Sequence, residues 1–511
     1  MIDRRTFLGG TGAAASLVAL GARPRLARAA EATGGITVAI GKEPDTLDPT
    51  QAINPPIVMA SLVNIFESLM PQDVAGNPTE GAAKWEISPD GLAVTYRIKP
   101  GVKFHSGDAL TADDVVFAHT RSAAKNPSYK RYLRTFDHIE KVDGMTVRYH
   151  FKQPSISFLK SLGPALVSKA YYDRVGEETF VKQPNGIGPY RFKGYVTGVS
   201  LDVEAFPDYY GAKPVIPAAR FRFVGEATTR VAMLKAGEAD VVMDTPTTEV
   251  AALAKAGFRN VETLVHPSVS IQFSFTDPKA PWADVRVRRA LAEAVDCEGI
   301  VKQLFNGVPQ RWPRLAPDEL GYDPSLKNYP YDPADARKLL KEAGYANGFT
   351  MPLYYLTGSY AGLKETAEAV VLFFRAVGVK AEVKPVDAPT FVQTVRRAKK
   401  DASFPFVAVS PMPMAHFADP ADTLAFALFG KSPFSVYGNP EADKLIEKAG
   451  ATVNDEERAT YIRAAFKIIH ADIPSFTIWN QVEVYSMKKA LTFQATKKGV
   501  PMFQLWNVGR A

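Results

Sequence analysis

Between Ile271 and Ile300 the chain reads IQFSFTDPKAPWADVRVRRALAEAVDCEGI, and this stretch limits the possible folds more than any other. Ile271, Phe273 and Phe275 alternate with Gln272, Ser274 and Thr276, the period of a strand with one buried face. A loop with Pro278 and Pro281 follows. Asp284 then reads as a helix N-cap, and Val287, Ala290, Leu291, Ala294 and Val295 share one apolar helix face. Related units recur downstream. Asp332 is an N-cap, Pro333 the first helical residue and Gly344 the stop of another helix. Phe349 to Leu356 reads as a strand, about Lys364 to Val377 as a helix ended by Gly378, and Val379, Ala381 and Val383 alternate on a further strand. Strands alternating with helices in this way call for a layered α/β lobe.

At 511 residues the chain exceeds one typical core, so two or three domains are expected. Its first 29 residues read as an address label. Arg4-Arg5-Thr6-Phe7-Leu8 is a twin-arginine pattern, Gly9 to Ala22 is weakly apolar, and Ala27-Arg28-Ala29 supplies a small-x-small cleavage site. Removing it takes away five Arg and one Asp, so the formal charge falls from +7 to +3. No concentrated Lys/Arg stripe remains, which argues against nucleic acid as a partner. Cys297 is the only cysteine, so the chain has no internal disulfide and no CxxC site, and no lipid-anchoring cysteine stands at the cleavage point. Beyond the label no apolar run approaches the ~20 residues that span a bilayer. The expected product is soluble and periplasmic.

The first half is rich in turns and caps. Ile36 to Ile40 reads as a strand, followed by the loop Glu43-Pro44-Asp45-Thr46-Leu47-Asp48-Pro49 and a helix carrying Val58, Leu62, Ile65, Phe66 and Leu69. Asp45 and Asp48 read as turn formers. Pro89-Asp90-Gly91 turns a hairpin, Thr111 caps a helix with Asp114 at the capping-box position, and Val142 to Phe151 forms another hairpin. His105, Asp108 and Asp113 invite a metal reading, but caps and turns already account for the acids.

Several segments, in order, resemble the large solute-binding proteins of ABC importers, family 5, which includes dipeptide, oligopeptide and nickel binders. They are Pro44-Asp45-Thr46-Leu47-Asp48-Pro49, Asn64 to Leu69, Trp85 to Val115, Gly186-Ile187-Gly188-Pro189-Tyr190, Gly237-Glu238-Ala239-Asp240, Asp284 to Asp296, Tyr331 to Tyr345 and Asn439-Pro440-Glu441-Ala442-Asp443. The resemblance implies a two-lobe α/β fold of the periplasmic-binding-protein type II, with an extra subdomain on the first lobe. The corresponding division is 30–75, 186–268 and 481–511 for lobe I, 76–185 for the outer subdomain, and 269–480 for lobe II. It also implies capture of a small solute by lobe closure, permease subunits of the inner membrane as partners, a monomer, no cofactor and no enzymatic step.

The chemistry-bearing motifs agree with that absence. No H-E-x-x-H, nucleophile elbow, phosphate loop or dinucleotide fingerprint occurs. Candidate ligand contacts are Asp45 and Thr46 after the first strand, Thr276 at the crossover, Arg311 and Trp312, Ser359 and Tyr360, the loop with Met412, Met414, His416 and Asp419, and Trp479 with Asn480 on the returning strand. In the peptide-binding branch an acid in that loop grips a free amino group. Aligned on Asp419-Pro420, His416 stands there instead, and Thr276 stands where Asn is common, so a free peptide terminus is a poor expectation. Met412, Met414 and His416 share one face if the segment is extended, and two readings stay open: a flexible apolar wall, or a soft-metal or metal-chelate site. A nickel or metal-chelate binder is therefore the alternative function; a hydrolase or peptide chaperone is a third.

Overall fold

The computed structural model describes residues 34–52, 61–130, 133, 135–154, 163–357, 362–412, 419–497 and 502–511. The first strand, β1 (Ile36–Ile40), is buried along its whole length. A run of apolar residues suits it, because both faces are covered. β2 (Ala83–Ile87) and β3 (Ala93–Ile98) form the hairpin turned at Pro89-Asp90-Gly91, where Gly91 takes φ 70°. With β4 (Phe136–Lys141) and β5 (Thr146–Phe151) they make a four-stranded antiparallel sheet in the order β2-β3-β5-β4. Helix Ala112–Lys125 packs on it; Thr111 N–H donates to the Asp114 carboxylate at 2.9 Å, closing the expected capping box. This is the extra subdomain on the first lobe.

The remaining large sheet has ten strands and runs through both lobes. In chain order they are β1, β6 (Tyr190–Val196), β7 (Ser200–Ala205), β8 (Ala218–Phe223), β9 (Val241–Val242), β10 (Arg259–Phe273), β11 (Thr350–Leu356), β12 (Lys380–Val386), β13 (Val407–Met412) and β14 (Ser475–Met487). Their spatial order is β12-β11-β13-β10-β14-β9-β1-β8-β7-β6. β10 and β14 are the two long ones, and they belong to both lobes. Arg259 to Leu264 pair with Met487 to Val482 on the β9 side, whereas Ser268 to Gln272 pair with Asn480 to Ser475 on the β13 side. A short pair, β15 (Leu491–Phe493) and β16 (Val508–Arg510), closes the chain.

In the second lobe Ile271, Phe273, Leu353, Val407 and Val409 turn one sheet face onto helices Val285–Glu293, Cys297–Phe305 and Leu363–Ala376. Asp284 caps the first of these by accepting from Arg286 N–H, and Val287, Ala290, Leu291, Ala294 and Val295 are all buried, as their spacing predicted. On the opposite face Tyr354, Phe406 and Ala408 pack with Val395 and Ala398 of helix Ala388–Lys400. Helices Pro440–Ala451 and Asp455–Asp472 build a further apolar cluster. This is a two-lobe α/β architecture, with helices covering both faces of the second lobe's sheet.

Two sequence expectations need correction. The helix expected through Val58 to Leu69 is helical, among the described residues, only at Ser61 and Leu62. Tertiary partners hold the rest: Asn64 Nδ2 donates to the Phe503 carbonyl at 2.9 Å and its Oδ1 accepts from Leu505 N–H at 2.8 Å. The strand expected from Ile271 begins earlier, at Arg259, because β10 continues back into the first lobe.

Candidate functional site

The crossing of β10 and β14 positions the site. Three residues of β10, 265 to 267, stand opposite the single Gln481 of β14, so the ladder is broken between Leu264 and Ser268. A bulge of this kind bends and twists a strand pair locally. Beside the break, on the second-lobe side, cross-strand partners bring polar side chains to one face. Ser268 faces Asn480 and Met412, and Ser270 faces Ser410. Ser268 Oγ and Ser270 Oγ are 3.4 Å apart, and Gln272 Nε2 donates to Ser410 Oγ at 2.7 Å. The strip of Ser268, Ser270, Gln272, Ser410 and Asn480 holds hydroxyl and amide groups and no charge, and all but the half-buried Gln272 are buried at the crossing. Its partial signal in the sequence was the alternation of Ser268, Ser270 and Gln272 with Val269, Ile271 and Phe273.

On the first-lobe side the crossing carries charge. Asp244, just past β9, takes φ 53°, a left-handed conformation uncommon outside glycine but more accessible to Asp than to most residues. Its N–H donates to Glu483 Oε1 at 2.7 Å, and its carbonyl accepts from Arg230 Nη2 at 3.0 Å. Arg230 is fully buried and also donates to the carbonyls of Val224, Gly225 and Met243. Burial, reinforced by the neighbouring Asp244 charge, holds the Glu483 carboxyl well above the usual carboxylate range. No motif in the sequence announced this cluster. Arg230 and Asp244 stand 14 residues apart, and Glu483 joins them from 239 residues further along the chain.

The structure brings some candidates together and separates others. Asn480 Oδ1 accepts from Trp312 N–H at 3.0 Å, and Asn480 N–H donates to the Gln310 carbonyl at 2.9 Å. Arg311 Nη2 donates to the Thr477 carbonyl at 3.3 Å. Trp479 is buried, with its indole N–H on Thr366 Oγ1 at 3.2 Å and its ring 4.7 Å from that of Phe305. Arg311, Trp312, Trp479 and Asn480 thus meet along β14, and the backbone of Met412 ends β13 nearby. Asp45 is exposed on the loop after β1, and Thr46 Oγ1 accepts from Asp48 N–H at 3.1 Å. Ser359, Tyr360, Met414 and His416, like the side chain of Met412, lie outside the described residues.

Three readings change. Thr276 does not sit at the crossing: it lies beyond the end of β10, and its hydroxyl donates to the Ala398 carbonyl at 2.8 Å, tying the strand to helix Ala388–Lys400. Asp419 is a structural acid. It caps helix Pro420–Thr423 through Ala421 N–H and pairs with Arg458 Nη2 at 2.5 Å, both side chains 1% exposed. Asp48, read as a turn former, is also a buried ion-pair partner, 2.6 Å from Arg121 Nη2. That link fastens the loop after β1 to the outer subdomain. His105, Asp108 and Asp113 face different partners: the Gly188 carbonyl, Arg174 and Lys141. Among the described residues no three or more His, Cys, Asp or Glu side chains are arranged to ligate one metal ion together, and no helix is long and apolar enough to cross a membrane.

Known proteins agree with this geometry. The family described as bacterial extracellular solute-binding proteins, family 5 middle, matches residues 80–426. A protein named glutathione-binding protein GsiB, from Pectobacterium atrosepticum, is 31% identical over 427 residues, covering 80% of this chain and 82% of its own. One named heme-binding protein A, from Haemophilus influenzae, is 29% identical over 433 residues, 78% of each chain. The solved structure of HbpA2 from Haemophilus parasuis superposes with a TM-score of 0.82 at 25% identity, over 93% of this chain and 99% of that one. That of the periplasmic DppA from Helicobacter pylori, associated with an ABC transporter and bound to the peptide STSA, gives 0.75 at 22% identity, over 94% and 99%. The chain belongs to family 5 of the bacterial extracellular solute-binding proteins, the substrate-binding components of ABC importers.

Proposed function

We propose that this protein captures a small organic solute, peptide-like in its hydrogen-bonding groups, at the crossing between its lobes, closes over it and hands it to an inner-membrane permease. The observation that carries the reading is the uncharged polar strip of Ser268, Ser270, Gln272, Ser410 and Asn480 beside the broken ladder of β10 and β14. Two lobes joined by a pair of bent strands form a hinge, and hinge closure sequesters a ligand between them. Hydroxyls and carboxamides there match the amides and hydroxyls of a solute; they offer no partner for an isolated charge. Lobe limits of 30–75, 186–268 and 481–511 against 269–480, with 76–185 as the outer subdomain, are part of this proposal, with the chain passing between the lobes at the break just before Ser268. The protein acts as a monomer, by stoichiometric binding and release without turnover.

Export belongs to the same proposal: the Arg4-Arg5 pattern directs the folded protein to the periplasm, and cleavage follows Ala29. Replacing Arg4 and Arg5 by Lys should leave the uncleaved protein in the cytoplasm, as fractionation would show; normal periplasmic yield would refute the twin-arginine route. For the ligand, mass spectrometry of the purified mature protein should identify a co-purifying small molecule. Glutathione, a tripeptide named for one relative, is the first compound to titrate. Binding should reduce the radius of gyration in solution scattering, and Asn480→Ala should weaken it. An unchanged scattering curve across ligands that do bind would remove the closure mechanism.

A further inference from the structure

The outer subdomain carries a pair of histidines that the solute site does not use. His138 on β4 and His150 on β5 are direct cross-strand partners, so both side chains leave the sheet on one face. Their rings stack 4.3 Å apart and 7° from parallel. A register shift between Phe136 and His138 leaves Asp137 without an opposite residue, and such a bulge re-aims the side chains beside it. Asp137 Oδ2 lies 2.9 Å from His138 Nδ1, and Glu140 Oε2 lies 2.9 Å from His150 Nε2. Arg148 Nη1 is 3.9 Å from the same Glu140 oxygen.

We propose that His138 and His150 form a two-imidazole site for a divalent ion of the copper, nickel and zinc group, separate from the solute site. A carboxylate bonded to one ring nitrogen holds the proton there and leaves a lone pair on the other, the arrangement that orients metal-binding histidines. Here each ring has its own carboxylate. Among the described residues neither His138 Nε2 nor His150 Nδ1 makes a hydrogen bond. Both side chains reach solvent, 57% and 28% exposed, so an ion has access and water completes its coordination. Imidazole suits copper(II), nickel(II) and zinc, with copper(II) bound tightest. The rings must turn from a stack into a fork to bring both nitrogens to ~2.0–2.1 Å from one ion. That movement is about the soft Cβ–Cγ torsions. The charges of Asp137 and Glu140 offset that of the ion.

The test is a copper(II) titration of the mature protein by calorimetry, with electron paramagnetic resonance to count nitrogen ligands. The wild type should take up one ion through two imidazoles. His138→Asn or His150→Asn should weaken that binding roughly a hundredfold, the loss of one of two linked donors. Glu140→Gln should weaken it by about tenfold or more while both imidazoles remain. Equal copper affinity and an unchanged spectrum in the His138→Asn/His150→Asn double variant would overturn the proposal by assigning the ion elsewhere. If that variant does not fold, diethyl pyrocarbonate labelling of the wild type decides: copper should protect both histidines, and protection of neither would overturn it.

Discussion

Asp419 and Arg458 show how a residue's type can be legible while its role is not. An acid before Pro420 is readable as a helix cap, but the arginine that neutralises it arrives from helix Asp455–Asp472. Removing one partner of such a buried pair leaves an uncompensated charge. Arg458→Met should therefore lower unfolding stability by about 3–5 kcal/mol in urea titration; a change below ~1 kcal/mol would mean the pair is solvated after all. Glu67 is a second case. Burial outweighs the two tyrosine hydroxyls, of Tyr209 and Tyr210, that donate to it at 2.7 Å, and pushes its carboxyl up to about 7. A folded-state value raised above the ordinary 4.5 makes its contribution most favourable below about pH 4.5 and progressively lost as pH rises toward 7. Glu67→Gln should lack this fall, so its stability relative to wild type should rise across that window by on the order of 3 kcal/mol. His119 runs the other way. Burial among Tyr129, Phe136 and Tyr149 lowers it to about 4, so its contribution is complete above about pH 6.5 and lost as pH falls toward 4. Stability of His119→Phe should depend less on pH over that range than the wild type's.

At the scale of elements, β14 has an exposed-edge problem in the second lobe. Its partner on one side is β10, while β9 reaches only Ser486 and Met487. The segment from Gln310 to Arg314 covers the other side without forming a strand. Gln310 accepts from Asn480 N–H, Arg311 donates to the Thr477 carbonyl, and Arg314 donates to the Ser475 and Ile469 carbonyls. Guanidinium forks satisfy the edge carbonyls that a neighbouring strand would otherwise take. Arg314→Leu should cost roughly 2–3 kcal/mol, because it strands buried carbonyls. Hydrogen exchange should rise first between Ser475 and Asn480; a uniform rise over the lobe would point instead to a general packing defect. The helices needed less help from their surroundings. Asp284 and Asp332 each cap the helix that their spacing announced, and Asn439 caps helix Pro440–Ala451 in the same way, since a cap is a local bond within one turn.

For the whole molecule, closure should be concentrated where the ladder is already broken. Ligand binding should slow exchange at Leu264 to His266, at Ser268 and at Gln481 while leaving the four-stranded sheet of the outer subdomain unchanged. Equal protection in that sheet would argue for global stabilisation rather than hinge closure. The sequence by itself determined the layered α/β class, the caps, the turns and the kinship, because each rests on short-range periodicity, local bonds or an ordered series of motifs. It did not determine which candidates meet. Thr276 was expected at the crossing, but the hydroxyl is committed to Ala398; Asp419 was a candidate contact, but Arg458 neutralises it. Trp312 and Asn480, far apart along the chain, were proposed separately and are joined by one hydrogen bond. Glu483, Asp244 and Arg230 carried no signal at all. Tertiary structure alone decided these pairings, since the energy of a buried charge or an edge carbonyl depends on the partner that long-range packing brings to it.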